Sequence, residues 1–187
     1  MGPMAELDPF HLHAGDPAPG WDLPGVDGQR HRIESFSRSP FLVVAFWCNH
    51  CPYVVAWEGR FIELARRYQP QGVQFVTINS NDTSAYPADR FEAMQIRARE
   101  RNYPFPYLWD ETQAVARAYG ALVTPHPFLF GPDRRLLFQG RIDDRHDNPS
   151  AVQHRYLAQA IDAALAGRPV PEPEVSVLGC SVKWKPD

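Results

Sequence analysis

Phe41 to Phe46 is apolar at every position, which predicts a central β-strand covered on both faces rather than one with a wet side. From Val54 the period changes: Trp57, Phe61, Leu64, Ala65 and Tyr68 recur at steps of three and four, with Glu58, Arg60, Glu63 and Arg67 on the other side. This is the pattern of an amphipathic helix, and Pro52 suits its first turn, where the N–H it lacks has no intrahelical partner. Gly72 releases the chain into a second buried strand, Val73 to Ile78, completing a βαβ unit. Ala88 to Arg101 reads as a helix with Phe91, Met94, Gln95 and Ala98 along one stripe. Arg97, Arg99 and Arg101 alternate with Glu92 and Glu100 on a solvated face. Asp110 with Gln113 predicts a capping box for a short helix that ends at Tyr119, where Gly120 stops it. Pro127 to Phe130 and Leu136 to Arg141 predict a hairpin turning at Gly131-Pro132-Asp133, and Ser150 is expected to cap a helix running through Ala166 to Gly167 and Pro169. Upstream, Trp21 to Ile33 reads as a short hairpin turning at Asp27-Gly28.

The expected fold is therefore α/β: a central mixed sheet flanked by helices, with an N-terminal hairpin and an extended C-terminal tail. No Pro/Gly-rich linker divides the 187 residues, so a single domain is expected over 1–187, with its core at about 37–167 and its tail at 168–187. The net charge of -3 comes without a basic block, which argues against a nucleic-acid or anionic-membrane partner. The longest apolar run, Phe41 to Trp47, is too short to span a bilayer, and the first twenty residues lack a basic segment followed by an apolar one, so a cytoplasmic protein is expected.

Candidate chemistry is concentrated in Trp47-Cys48-Asn49-His50-Cys51-Pro52, which follows directly on the apolar run. Two cysteines at this spacing lie on one turn, close enough to bond to each other, and a strand ending in Cys-x-x-Cys suggests disulfide exchange. A helix starting there points its unpaired N–H groups and positive dipole end at Cys48, which should acidify that thiol. An ordinary cysteine, with a pKa near ~8.5, is only a few per cent ionised at neutral pH. Lowering it to ~6 requires about 3.4 kcal/mol, more than the ~2 kcal/mol at most that a helix terminus supplies. His50 is the natural second contributor, by a hydrogen bond or a positive charge, and would make the pair more oxidising; the alternative is a solvent-facing residue at a helix start. Zinc binding by Cys48 and Cys51 is the competing use of the pair, but no second Cys-x-x-Cys or His-x-x-x-His follows at ligand spacing. The remaining histidines, His11 and His13 among them, form no convergent ligand set and read as surface residues.

Trp47 to Val54, read as Trp-Cys-Asn-His-Cys-Pro-Tyr-Val, resembles the thioredoxin superfamily in its peroxiredoxin-like branch, related to alkyl hydroperoxide reductase and thiol-specific antioxidant proteins. The likeness extends to Asn79-Ser80-Asn81-Asp82, to Phe105-Pro106-Tyr107-Leu108 with Asp110 to Gln113, to Tyr119-Gly120-Ala121 leading to Thr124-Pro125, and to the tail Gly179 to Lys185. The resemblance implies a thioredoxin-like fold, a cis bond before Pro125 facing the motif, and catalysis by Cys48 and Cys51 without a cofactor or metal. Trp47, Asn49, His50, Pro52, Thr124 and Pro125 would support the pair. It implies a thiol-disulfide oxidoreductase acting on protein or small-molecule disulfides, reset by a thiol reductant or oxidant partner. Cys180 alternates with Val182 and Trp184 against Ser181, Lys183 and Lys185, which places it on the apolar side of a strand-like segment. It is either a buried inert cysteine or, if the tail folds back, a third redox thiol.

Two other readings stand beside this one. A thiol-dependent peroxidase of the peroxiredoxin kind carries Pro-x-x-x-Thr/Ser-x-x-Cys, but Phe41 and Ala45 stand at those positions before Cys48, and Val44 and Cys48 before Cys51. A non-enzymatic metal- or partner-binding module is the other. Many thioredoxins also bury an aspartate six residues before the first cysteine, where this chain has Leu42, leaving Glu58 or His50 as substitute proton acceptors.

Overall fold

The protein is described by a computed structural model covering residues 8–187; the first seven residues of the stretch read for a leader lie outside it. A short antiparallel hairpin, β1 (Asp22–Pro24) and β2 (Arg30–Arg32), precedes the main sheet, turning at Asp27-Gly28 as its sequence requires. The central strand β3 (Phe41–Phe46) is followed by the long helix α1 (Pro52–Tyr68) and by β4 (Val73–Asn79), parallel to β3. Gly72, at φ 90°, makes the left-handed turn between helix and strand that a residue with a Cβ resists. Helix α2 (Phe91–Glu100), strand β5 (Tyr107–Trp109), helix α3 (Ala114–Tyr119) and strand β6 (Val123–Thr124) follow. Strands β7 (His126–Phe130) and β8 (Leu136–Gln139), helix α4 (Tyr156–Leu165) and the two-residue β9 (Cys180–Ser181) complete the chain. The sheet order is β5-β4-β3-β7-β8, with β7 antiparallel to β3 and β8 antiparallel to β7, so β3 lies in the middle.

The apolar run of β3 is explained by what covers it. Val43 and Ala45 face a layer containing Trp57 and Phe61 of α1, Met94 of α2, and Leu157 and Ile161 of α4. Leu42, Val44 and Phe46 face the opposite layer, with Trp21 and Leu23 of the hairpin region and Val115, Ala116 and Tyr119 of α3. Each fully buried large side chain of this kind stabilises the fold by roughly 1.5–3 kcal/mol. Among the described residues no helix is long and apolar enough to cross a membrane.

Several local expectations give way to tertiary bonds. Asp110 reaches past Gln113 to accept from the amides of Val115 (3.3 Å) and Ala116 (2.9 Å), so it caps α3 without a reciprocal box. Gln113, at φ 65°, instead donates to the carbonyls of Ser80 and Lys183. Ser150 caps nothing: Asn148 caps a single 3-10 turn, and α4 begins later, at Tyr156. The start of α2 likewise moves to Phe91, because Pro87–Asp89 forms a 3-10 turn. The arginines of α2 are not all solvated, and Glu58 is not on a wet face. Glu58 is buried and bound by Arg97 (2.7 and 2.9 Å), Arg101 (2.6 Å) and the Tyr103 hydroxyl (2.6 Å). Nor is every remaining histidine at the surface, since His126 is fully buried on β7.

Candidate active site

The motif lies where the central strand delivers it, at the carboxyl end of β3 and the amino end of α1, with Cys51 as N-cap residue and Pro52 in the first turn. Trp47 is fully buried, packs on Phe61 at a ring-centroid distance of 4.7 Å and donates its indole N–H to the Tyr103 hydroxyl (3.0 Å). Through Tyr103 it joins the Glu58 cluster, so Glu58 is committed to holding the floor under the motif. Asn49 is fastened three ways: its amide donates to Asp89 (2.8 Å), its side-chain N–H to the Ala88 carbonyl (3.0 Å), and its side-chain oxygen accepts from Tyr107 (2.8 Å).

Opposite the motif, the Thr124–Pro125 peptide is cis, as the resemblance implied. Thr124 meets both cysteines: its hydroxyl lies 3.3 Å from Cys48 Sγ and its carbonyl oxygen 3.3 Å from Cys51 Sγ, which donates to it when protonated. The tail folds back over this edge. Strand β9 pairs antiparallel with β6, setting Cys180 opposite Thr124 and its Sγ 2.8 Å from Cys51 Sγ. The three thiols are free, Cys48 and Cys51 buried and Cys180 half-buried. Trp184, expected on the apolar side with Cys180 and Val182, instead lies at the surface under the Arg117 guanidinium, 4.6 Å from its ring centre.

The His50 ring lies close to both Cys48 and Asp89. Its Nδ1 lies 2.7 Å from an Asp89 carboxylate oxygen, and its ring stacks on Tyr86 at 5.9 Å. Asp89 is the residue that reading along the chain missed. It is fully buried on the 3-10 turn after β4, accepts from Asn49 and from the Asn81 side chain (2.9 Å), and shares a space of 4.8 Å with Cys48 Sγ and the His50 ring. Leu42, at the position of the absent strand aspartate, faces the opposite layer.

Cys48 and Cys51 share a hydrogen bond that moves their pKa values in opposite directions. Cys48 is raised well above its usual pKa by the hydrogen bond it gives to Cys51, by burial, and by the negative charge of Asp89. Cys51 is lowered to about 4, because Cys48, Cys180 and the amides of Val54 and Cys180 all donate to its sulfur, against the cost of burial. Cys180 is raised to about 11 by burial and by its neighbour Cys51. These bonds favour negative charge on the sulfur at the helix amino end, where backbone N–H groups attract an anion.

The model of the AhpC/TSA family matches residues 14–139, which contain the motif and the Thr124-Pro125 edge. A conserved protein of unassigned role from Geobacillus kaustophilus is 44% identical, with 94% of each chain covered and a TM-score of 0.89. A hypothetical protein from Sinorhizobium meliloti is 38% identical over 94% of this chain and 97% of its own, also at a TM-score of 0.89. A thiol:disulfide interchange protein of the thioredoxin family from Chlorobium tepidum shares the fold at a TM-score of 0.63, with 16% identity over 82% of this chain and 98% of its own. No curated protein matches the chain.

Proposed function

The chain belongs to the AhpC/TSA family and has a thioredoxin-like fold, and from that premise we propose that it is a thiol-disulfide oxidoreductase working through Cys48 and Cys51. The observation that carries this reading is the convergence of both sulfurs on Thr124 at 3.3 Å, at the cis-proline edge on which the tail strand β9 is paired. The proton in the Cys48–Cys51 hydrogen bond passes to Cys51 as Cys48 attacks a substrate disulfide. A Cys48–substrate bond forms, the substrate S–S bond breaks, and the departing thiolate takes that proton from Cys51. Cys51, again a thiolate, then attacks Cys48 Sγ, releasing the second substrate thiolate and leaving a Cys48–Cys51 disulfide for a thiol partner to reduce. Asn49, Asp89 and the Trp47–Tyr103–Glu58 chain hold Cys48 in place during both steps. No cofactor is required by this exchange.

One feature favours a thiol-dependent peroxidase, the Thr124 hydroxyl beside Cys48. Against it, the charge facing Cys48 is the Asp89 carboxylate, which opposes the negative charge that builds on a peroxide oxygen. A metal-binding module is supported by the proximity of Cys48, His50 and Asp89 ligand atoms and, away from the motif, by Asp8 and Glu174 closing on His13, against the expectation that His13 joins no ligand set; zinc analysis of purified protein tests it. Insulin-disulfide reduction and hydrogen peroxide consumption, compared in wild type, Cys48→Ser and Cys51→Ser, separate the first two. Exchange predicts insulin reduction lost in both variants; peroxide turnover persisting in Cys51→Ser, with no insulin reduction by wild type, contradicts it.

A further inference from the structure

Resting on that dithiol reading, we propose that Cys180 is a third redox thiol, which takes the disulfide over from Cys48 so that the tail strand acts as a built-in substrate of the site. Its Sγ lies 2.8 Å from Cys51 Sγ, and a bond of about 2.05 Å requires only a small closing movement. The backbone is arranged as a docked peptide: Val123 and Thr124 pair antiparallel with Ser181 and Cys180, occupying the edge beside Pro125 that an external strand would otherwise take. Gly179 makes this approach possible, since a Cβ there would meet the Thr124 carbonyl oxygen at 2.2 Å.

The tail is held there by buried polar groups of the main body. Asn81 accepts from the Lys183 amide (2.9 Å), and the Asp82 amide donates to the Lys183 carbonyl (2.7 Å). The Gln113 side chain donates to that same carbonyl (2.8 Å) and accepts from the Lys185 amide (2.9 Å), and Val182 is buried. Asn81, Asp82 and Gln113 are themselves buried, so a displaced tail leaves polar groups without partners.

The transfer is an exchange without net oxidation. Cys180, as thiolate, attacks Cys51 Sγ of the Cys48–Cys51 disulfide. The Cys51–Cys180 bond forms, the Cys48–Cys51 bond breaks, and Cys48 leaves with the electron pair and takes up a proton in place of the one Cys180 lost. Cys48 is then free to attack again, while the disulfide sits on the half-buried sulfur, the one of the three nearest to an external thiol.

The test is peptide-mass mapping of disulfides after equilibration with oxidised glutathione. Cys48→Ser is expected to form the Cys51–Cys180 cross-link, and Cys180→Ser to form Cys48–Cys51. Gly179→Ala is expected to retain Cys48–Cys51 but to lose the Cys51–Cys180 cross-link by tenfold or more. Glutathione adducts in place of the cross-link in Cys48→Ser, with Cys48–Cys51 intact in Cys180→Ser, overturn the relay alone. Absence of Cys48–Cys51 from Cys180→Ser overturns the dithiol reading and the relay together.

Discussion

His126 follows Pro125 on β7, opposite Phe46 in the register, and should make the protein acid-sensitive in a way that can be calculated. Its Nδ1 accepts from the Leu122 amide at 3.3 Å, a group that can only donate, so the ring proton sits on Nε2, 3.2 Å from the Gln139 side-chain oxygen. A second proton would have to go on Nδ1, against that amide and inside a fully buried site. Burial accordingly lowers the pKa from 6.5 to about 4, with the Gln139 bond opposing part of the shift. The folded state prefers the neutral ring, so this contribution to stability is complete above the unfolded pKa and is lost as the pH falls from about 6.5 to about 4. At about 1.36 kcal/mol per unit, the loss across that window is about 3.4 kcal/mol. The assay is urea unfolding of wild type and His126→Gln across this range. The stability difference between them should shift by about 3.4 kcal/mol in the variant's favour between neutral pH and pH ~4. A difference that stays constant with pH would refute the assignment of His126 as a buried neutral ring.

Two further substitutions probe the frame of the site. Asp89→Asn keeps the hydrogen bond from the Asn49 amide but removes the charge that raises the Cys48 pKa. In a Cys51→Ser, Cys180→Ser background, thiolate absorbance should then show Cys48 ionising at lower pH, by on the order of one unit. An unchanged titration contradicts the placement of Asp89 against Cys48. Glu58→Gln leaves Arg97 and Arg101 without their counter-charge and should cost about 3 kcal/mol in urea unfolding, discounted from a fully buried pair because Arg101 is half exposed. A loss below about 1 kcal/mol would mean that the cluster under Trp47 behaves as a surface ion pair.

What the chain disclosed along its length was whatever follows from local period and spacing. The unbroken apolar run of β3 required cover on both faces, the three-and-four repeat of α1 required one buried face, and the cysteines at their junction followed from both. Where local rules failed, a distant partner had outbid the neighbour. Gln113 sits at capping-box spacing from Asp110, yet it binds a carbonyl of the tail. The arginines of α2 look like a wet face because their partner, Glu58, lies on a different helix. Asp89 gave no local signal, since its meaning comes from the turn that carries it under Asn49 and His50. Cys180 was legible as one side of a strand-like segment, but its meeting with Cys51 depends on the pairing of β9 with β6, for which the sequence carries only Gly179 as a trace.

The most direct test of the dithiol site is the reduction potential of the thiol cluster, measured by equilibrating the protein in glutathione buffers and mapping its disulfides. Several donors stabilise the Cys51 thiolate, and whatever stabilises the reduced form raises the potential. A two-electron transition from free thiols to a disulfide that includes Cys51 is expected, at a potential above thioredoxin's approximately -270 mV. Three free thiols persisting in the most oxidising buffer, or a midpoint at or below that value, would contradict it.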